Sequence, residues 1–375
     1  MKILFVLDYY YPFKGGSEIL FQSLAEGLVK KGYDVTVVTM RVENSLKYEV
    51  YNGVKIHRLP SLRFLPRFSF MKLVFPWLLF NGKKFDLIHT TSCGSSVPAW
   101  LVSKLYRIPS VITVHEVIGK NWKVLYGMGN LMSFFYRNLE RIMLSFPFKK
   151  YIPVSKSTEK GLYEIGVNPE KIDVVHNAVD YEHWNPKKYN KNRVKIRNKL
   201  GVKKNEFLYV FYGRPGETKG VNYLIKAMPE INKKIPRARA LLILGTEPVG
   251  LYKDMKKMLK DLGGGKAILH KPLPYKDLPN YIMAGDCVVV PSITEGFGFC
   301  VAESCALGKP VVASNTTSIP EVISGKYLLV PPRDSGAIAD ALVKVTKKKY
   351  SKSSLKKFTF EKFIKGYEKV YNDVI

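Results

Sequence analysis

Two glutamates eight residues apart mark the chemistry in this chain. Glu295 and Glu303 lie in the stretch Pro291–Gly308, PSITEGFGFCVAESCALG. The apolar run Asp286–Val290 leads into it and reads as a buried parallel strand. Glu295 falls where that strand ends. Gly296-Phe-Gly298 supplies a turn in which backbone can approach a ligand closely. The spacing predicts a short helix from about Phe299, stopped at Gly308, with Glu303 on its second turn. Two carboxylates would then accept hydrogen bonds from two sets of hydroxyls. The free N–H groups at the helix N-terminus could hold a phosphate between them. A molecule with sugar hydroxyls, a diphosphate and ribose hydroxyls, in that order, matches the arrangement.

A second loop carries fixed cations. Gly213-Arg-Pro-Gly-Glu-Thr-Lys-Gly220 follows the expected strand Phe207–Tyr212 and opens a helix. Arg214 and Lys219 sit at the strand's carboxyl edge, where α/β sheets bind ligands. Cations are disfavoured at a helix N-terminus unless an anion joins them. Beside a diphosphate they could stabilise the charge that builds on a departing nucleoside diphosphate. His115 ends another expected strand, Pro109–Val114, and is a candidate of weaker pedigree, since a lone strand-end histidine is commonly structural. Gly15-Gly16 lies between a first strand, Ile3–Leu7, and a helix burying Leu20, Leu24 and Leu28. That unit is Rossmann-like but lacks Gly-x-Gly-x-x-Gly.

Alternating strands and helices run through both halves, so the fold class is α/β, with two doubly wound domains. In the first half the strands are Ile3–Leu7, Asp34–Met40, Lys55–Leu59, Asp86–His89, Pro109–Val114, Tyr151–Val154 and Ile172–His176, with a turn at Tyr51–Val54. Residues 181–205 are polar and rich in Lys and Asn, which places the linker there. The expected domains are 1–190, 191–355 and a terminal helical segment, 356–375. The four cysteines, Cys93, Cys287, Cys300 and Cys305, form no Cys-x-x-Cys pair and read as reduced core residues. No metal site is expected. The histidines lack ligand spacing and there is no Asp-x-Asp pair. No run reaches transmembrane length, and Leu62–Phe80 is interrupted by Arg63, Pro66, Arg67, Lys72 and Pro76. The start of the chain has no signal-peptide core, so the expected location is cytoplasmic.

With 60 Lys plus Arg against 31 Asp plus Glu, the chain carries +29. Anionic partners follow, although a solvated lysine-rich surface accounts for most of the excess. Two stretches interleave basic and aromatic residues, Arg63–Lys84 and Asn121–Lys150. They are candidates for contact with an anionic membrane surface, peripheral on its inner face. No nucleic-acid motif is present, and no specific nucleic acid is expected.

These features together resemble the retaining glycosyltransferases of family 4. The resemblance spans nearly the whole chain. It rests on Glu295-x7-Glu303 with its Gly-Phe-Gly, on Gly213-Arg214 with Lys219-Gly220, on Gly15-Gly16-x-Glu18, on His115, and on Asn177-Ala-Val-Asp180, where the family has Asn-Gly. It implies the GT-B architecture: two Rossmann-like domains, an interdomain cleft and a C-terminal helix crossing back to the first domain. It implies transfer of a hexosyl group, with retention and without metal, from a UDP- or GDP-linked sugar to a lipid, lipid-linked or saccharide acceptor. The first domain would bind the acceptor and the second the donor. Glu303 would hold the ribose and Glu295 the transferred sugar. Backbone at Gly298, Phe299 and Cys300 would meet sugar and diphosphate. Arg214 and Lys219, in the loop begun by Gly213, would stabilise the diphosphate while Gly16, beside Gly15, closes over it. His115 would orient the sugar. Two other classes fit parts of the sequence: a nucleotide-sugar epimerase of similar fold and a non-catalytic polyanion-binding protein.

Overall fold

The computed structural model describes all residues except 14, 62–65, 93 and 263–265, and the side chains of 124 and 126. Lys14 of the glycine loop, Arg63 and Phe64 of the first basic-aromatic stretch, and Cys93 lie outside the described residues. The chain divides into two compact units. One comprises 1–123, 128–178 and 358–375, the other 124–127 and 179–357.

The first unit is built on a seven-stranded sheet in the order β3-β4-β2-β1-β5-β6-β7. Its strands are β1 Lys2–Val6, β2 Asp34–Met40, β3 Tyr48–Tyr51, β4 Val54–Leu59, β5 Leu87–Thr91, β6 Ser110–Val114 and β7 Lys150–Pro153. All neighbours pair in parallel except β3 with β4. The central runs β1, β2, β5 and β6 are almost wholly buried, as expected for parallel strands covered on both faces, while β3 and β4 at the edge alternate with exposed residues. Asn52 and Gly53, both at positive φ, make the tight β3–β4 turn. On one face Leu4, Val6 and Ile88 pack against Phe70, Val74, Leu78 and Val102. On the other, Phe5 and Phe21 pack on His89, whose Nδ1 lies 2.6 Å from the Tyr371 hydroxyl. That tyrosine belongs to the last helix, Phe360–Asn372, which also packs on the first helix, Gly16–Lys30: Ile364 lies against Gly27, and Lys31 pairs with Glu368 at 2.7 Å.

The expected strand Ile172–His176 is a correction. Only one bridge forms, Tyr151 with Ile172; Asp173 N and Val175 N still donate to Tyr151 O and Pro153 O at 3.0 and 3.1 Å, so the segment lies along β7 without forming a regular strand. The polar stretch 181–205 is also more ordered than a linker. It contains the helix Arg193–Lys199, whose Arg197 reaches Asp286 at 3.2 Å while Arg193 holds the same carboxylate at 2.6 Å.

The second unit has a seven-stranded sheet in the order β10-β9-β8-β11-β12-β13-β14. Its strands are β8 Phe207–Gly213, β9 Ala238–Leu244, β10 Ala267–His270, β11 Cys287–Val290, β12 Val311–Ser314, β13 Lys326–Val330 and the two-residue β14 Ser351–Lys352. Only β14 runs antiparallel. Strand order reverses between β8 and β11, whose carboxyl ends lie side by side. In a doubly wound sheet that switch point is where a ligand has room to enter.

Candidate functional site

Both sequence motifs of the second unit emerge at this switch point. The loop after β8 contains Arg214 and the turn Glu217–Lys219, and gives way to the helix Val221–Lys234. The loop after β11 contains Glu295 and opens the helix Phe299–Ala306. The two loops are stitched together. Ile293 N donates to Thr218 O at 2.8 Å. Gly220, at φ +62, is so close to the Pro291 carbonyl that a Cβ there would stand 1.9 Å from its oxygen. Only glycine accepts both that contact and that backbone angle.

Glu295 and Lys219 form an ion pair, with Nζ 2.7 and 2.8 Å from the two carboxylate oxygens. The sequence reading gave them separate tasks, Glu295 at the sugar and Lys219 at the diphosphate; the structure pairs them directly. Burial works against the Lys219 ammonium, but the Glu295 carboxylate outweighs it and holds the lysine above its usual value. Ser292 Oγ donates to Glu295 Oε1 at 2.7 Å. The loop after β12 fixes the Glu295 backbone: its N–H donates to Thr317 Oγ1 at 2.9 Å, and its carbonyl accepts from Ser318 Oγ at 2.9 Å. Thr317 adopts φ +43, an uncommon angle for a β-branched residue. Arg214 is exposed and near enough to Lys219 to oppose its charge. Two like charges sharing one loop mark a place for an anion. An ammonium has three N–H bonds, so the two made to Glu295 leave one for a phosphate oxygen.

Glu303 projects from the second turn of its helix, as the spacing predicts. Desolvation pushes its carboxyl up to about 8, against the Tyr212 hydrogen bond that lowers it. The Tyr212 hydroxyl lies 3.0 Å from Glu303 Oε2, 2.9 Å from the Cys300 carbonyl and 3.2 Å from Ser304 Oγ. Tyr275 is within electrostatic reach as well: burial raises its hydroxyl first, and the Glu303 charge adds to this. The helix begins at Gly298, at φ +94, with no side-chain cap. Its first N–H groups, at Phe299 and Cys300, have no partner within the helix, and they lie in the chain between the two glutamates. Cys300 itself is a half-buried thiol raised by desolvation, without nucleophilic character.

The other sequence candidates lie in the first unit. Gly15 precedes the helix that Gly16 begins, and the Glu18 carboxylate lies over it: a Cβ on Gly15 would come within 2.1 Å of Oε2. His115 follows β6, with its ring edge-on to Phe21 at 6.0 Å. Its Nε2 is buried without a hydrogen-bond partner, and burial lowers the imidazole to about 4. It is a neutral ring holding an unused donor or acceptor.

Sequence reasoning missed Tyr212, Ser292 and Thr317. Tyr212 had a signal, being a phenol at the end of an apolar strand directly before Gly213-Arg214. Thr317 had none, because its partner is supplied by a loop 22 residues away. Among the described residues no three His, Cys, Asp or Glu side chains group as metal ligands would.

Two family models match this chain, Glycosyltransferase Family 4 over residues 14–183 and Glycosyl transferases group 1 over residues 192–361. An uncharacterized glycosyltransferase of Methanocaldococcus jannaschii is 28% identical, over 97% of this chain and 94% of its own length. The UDP-Gal:alpha-D-GlcNAc-diphosphoundecaprenol alpha-1,3-galactosyltransferase of Escherichia coli is 27% identical, over 73% of this chain and 70% of its own. Among solved structures, Anabaena HepE in complex with UDP and glucose superposes with a TM-score of 0.74. It covers 100% of this chain and 94% of its own at 19% identity, a likeness of fold.

Proposed function

Because the chain belongs to the family 4, group 1 glycosyltransferases, we propose that it moves a hexosyl group from a UDP- or GDP-linked sugar to a lipid, lipid-linked or saccharide acceptor, with retention and without metal. The observation that carries this reading is the switch-point constellation of the second unit: an uncapped helix start between two glutamates, with Lys219 and Arg214 beside it. UDP in the HepE complex and in the name of the Escherichia coli relative supports a uridine donor. That relative's name also supports a lipid diphosphate acceptor.

In this reading Glu303 accepts from the ribose hydroxyls and Glu295 from the transferred sugar. The N–H groups of Gly298, Phe299 and Cys300 meet the sugar and the diphosphate. As the bond from the anomeric carbon to the diphosphate oxygen breaks, its electron pair leaves with the nucleoside diphosphate. Arg214 and the remaining N–H of Lys219 stabilise that charge, the task a metal performs in other transferases. The acceptor oxygen bonds the anomeric carbon on the face the diphosphate vacates, and its proton passes to the leaving oxygen. The family resemblance would give His115, neutral at working pH, the task of orienting the sugar, and Gly16 that of closing over the phosphates. The place of work is the cytoplasmic side, at the membrane where the acceptor is borne on lipid.

The test is a transfer assay with UDP- and GDP-hexoses, reading nucleoside diphosphate release in the presence of excess chelator. Magnetic resonance of the product then reports its anomeric configuration. Acceptor-dependent release that survives chelation and gives a retained anomer is expected. An inverted product or loss of activity on chelation contradicts the mechanism, and an acceptor-independent change of the free sugar nucleotide points to an epimerase instead.

A further inference from the structure

The helix Asn130–Ser145 is folded inside out. Its one acidic residue, Glu140, faces the protein, where its carboxylate accepts from Ile118 N at 2.8 Å, Gly119 N at 2.7 Å and Trp122 Nε1 at 3.0 Å. Of its apolar side chains only Leu144 is buried. Half a turn away from Glu140 on the helical wheel stand Leu131, Phe135 and Ile142, with Phe134 alongside. Their exposures are 83%, 57%, 56% and 66%. A helix whose outer face meets only water presents the reverse pattern. Arg137 and Arg141, both exposed, flank the stripe.

The helix does not stand alone. Its Leu144 packs on Ile112 and Val114, and Ile112 lies opposite Thr90 on the sheet face that carries Ile88. The helices Pro66–Asn81 and Ser96–Tyr106 cover that same face and add exposed Phe80 and Leu105. Between residues 60 and 150 the chain has thirteen Lys or Arg and three Asp or Glu. Of those three acids, Asp86 is bonded to Lys2 N at 2.7 Å and Glu140 is turned inward. On the three helices themselves the exposed charges are Arg67, Lys72, Lys104, Arg137 and Arg141, all basic, among exposed apolar and aromatic side chains.

We propose that this face of the first unit docks on an anionic phospholipid bilayer, with the Asn130–Ser145 helix lying in the plane of the interface. Its apolar stripe would enter the acyl boundary while the flanking arginines reach the headgroups. Among the described residues no helix is long and apolar enough to cross a membrane, so the contact is in-plane. A second copy of the chain is a poor occupant, because a two-fold contact would set this positive face against itself. The proposal rests on the transferase reading for its purpose, which is to bring the catalytic unit to an acceptor carried on lipid.

Full-length protein is spun with phosphatidylcholine vesicles, with and without phosphatidylglycerol, at low and high salt. Three proteins are compared: wild type, Arg137→Glu/Arg141→Glu, and Leu131→Ser/Phe135→Ser. All substituted side chains are exposed, and circular dichroism checks the fold. Wild type should pellet with the phosphatidylglycerol vesicles, less so at high salt. Each double variant should bind at least about tenfold more weakly. Phe135→Trp, read by quenching from brominated lipid, should report entry into the bilayer. Thermal stabilisation by nucleotide sugar should be equal in all three proteins. If no nucleotide sugar stabilises wild type while vesicle binding behaves as stated, the donor reading fails and the docking face stands. No wild-type binding, or binding that the helix variants leave unchanged, overturns the docking face. Concentration-dependent dimers in the ultracentrifuge, lost in the Leu131→Ser/Phe135→Ser variant, would overturn it too.

Discussion

Replacing Tyr212 with phenylalanine deletes one hydroxyl from beside Glu303 and leaves the packing of the ring in place. Desolvation holds the Glu303 carboxyl near about 8, and the Tyr212 hydrogen bond works in the opposite direction. At pH 7 such a carboxyl is ionised in roughly one molecule in ten. If the carboxylate is the form that takes the ribose hydroxyls, binding a nucleotide sugar must expel a proton below pH 8. Affinity in the wild type should then rise about tenfold per pH unit up to about 8 and level off above it. Removing a hydrogen bond to a charged group costs about 1.5–3 kcal/mol. That corresponds to an upward shift of roughly one to two pH units for Glu303 in Tyr212→Phe. At pH 8, where the wild-type carboxyl is half ionised, the variant should bind about five- to fiftyfold more weakly, and part of the loss should return by pH 9. Glu303→Gln should be flat across the range. The assay is calorimetric titration with a nucleotide sugar, whose diphosphate does not titrate in this range, from pH 6 to pH 9. Two buffers of different ionisation enthalpy count the protons released. A wild-type affinity that does not change with pH, with no proton release, refutes the assignment of Glu303. An unmoved profile in Tyr212→Phe refutes the role of the tyrosine.

The same residue makes a stability prediction. Between its ordinary value of 4.5 and about 8, the folded chain holds a proton on Glu303 that the unfolded chain has released. The ligand-free fold therefore loses stability as pH rises through that window, by up to about 5 kcal/mol. Glu303→Gln should raise the melting temperature at pH 8.5 and weaken nucleotide stabilisation, and a lowered melting temperature there contradicts this. Gly220→Ala must move the Pro291 carbonyl or its own backbone, so denaturant titration should show a loss above about 2 kcal/mol. A loss below about 0.5 kcal/mol would mean the loops are not held as described. Lys219→Met leaves the Glu295 carboxylate recessed without its partner and should cost about 3 kcal/mol, with Lys219→Met/Glu295→Gln recovering most of it. Additive losses in the double variant would argue against the pairing. His89 and His115 titrate near about 3 and 4 because burial disfavours their charged forms. The unfolded chain takes up protons near 6.5 that the folded chain refuses, so stability should fall from about pH 6.5 toward pH 5. Glu303 opposes one of the two histidines in this window, so thermal melts should show a net slope of about one proton in wild type and a nearly flat profile in His89→Gln.

Much of this was legible because the chemistry is local in sequence. Glu295 and Glu303 are eight residues apart on one strand-turn-helix segment, and Arg214 and Lys219 share one loop, so spacing alone predicts their placement. The alternation of buried runs with helical periods likewise implies two doubly wound sheets. What escaped depends on tertiary partners. Tyr212 reads as one more core aromatic until the helix carrying Glu303 is laid across it. The Lys219–Glu295 pair spans 76 residues and arises because β8 and β11 are neighbours. Ile172–His176 has strand composition and lies along β7, which accepts from Asp173 N and Val175 N, but it forms a single bridge and no regular strand. The Asn130–Ser145 helix shows why a periodic pattern does not reveal which face is inward: three N–H donors near Ile118 hold Glu140 against the protein and leave the apolar stripe outside.

The claim at the centre is that the switch point of the second unit is a nucleotide-sugar site. It is tested most directly by a thermal-shift and mass-spectrometric screen of UDP-, GDP- and ADP-sugars against wild type, Glu303→Gln and Arg214→Ala. Stabilisation of wild type by one nucleotide family, weakened in both variants, is the predicted result. Stabilisation of equal size in all three proteins, or none in wild type with any of the sugars, would contradict it.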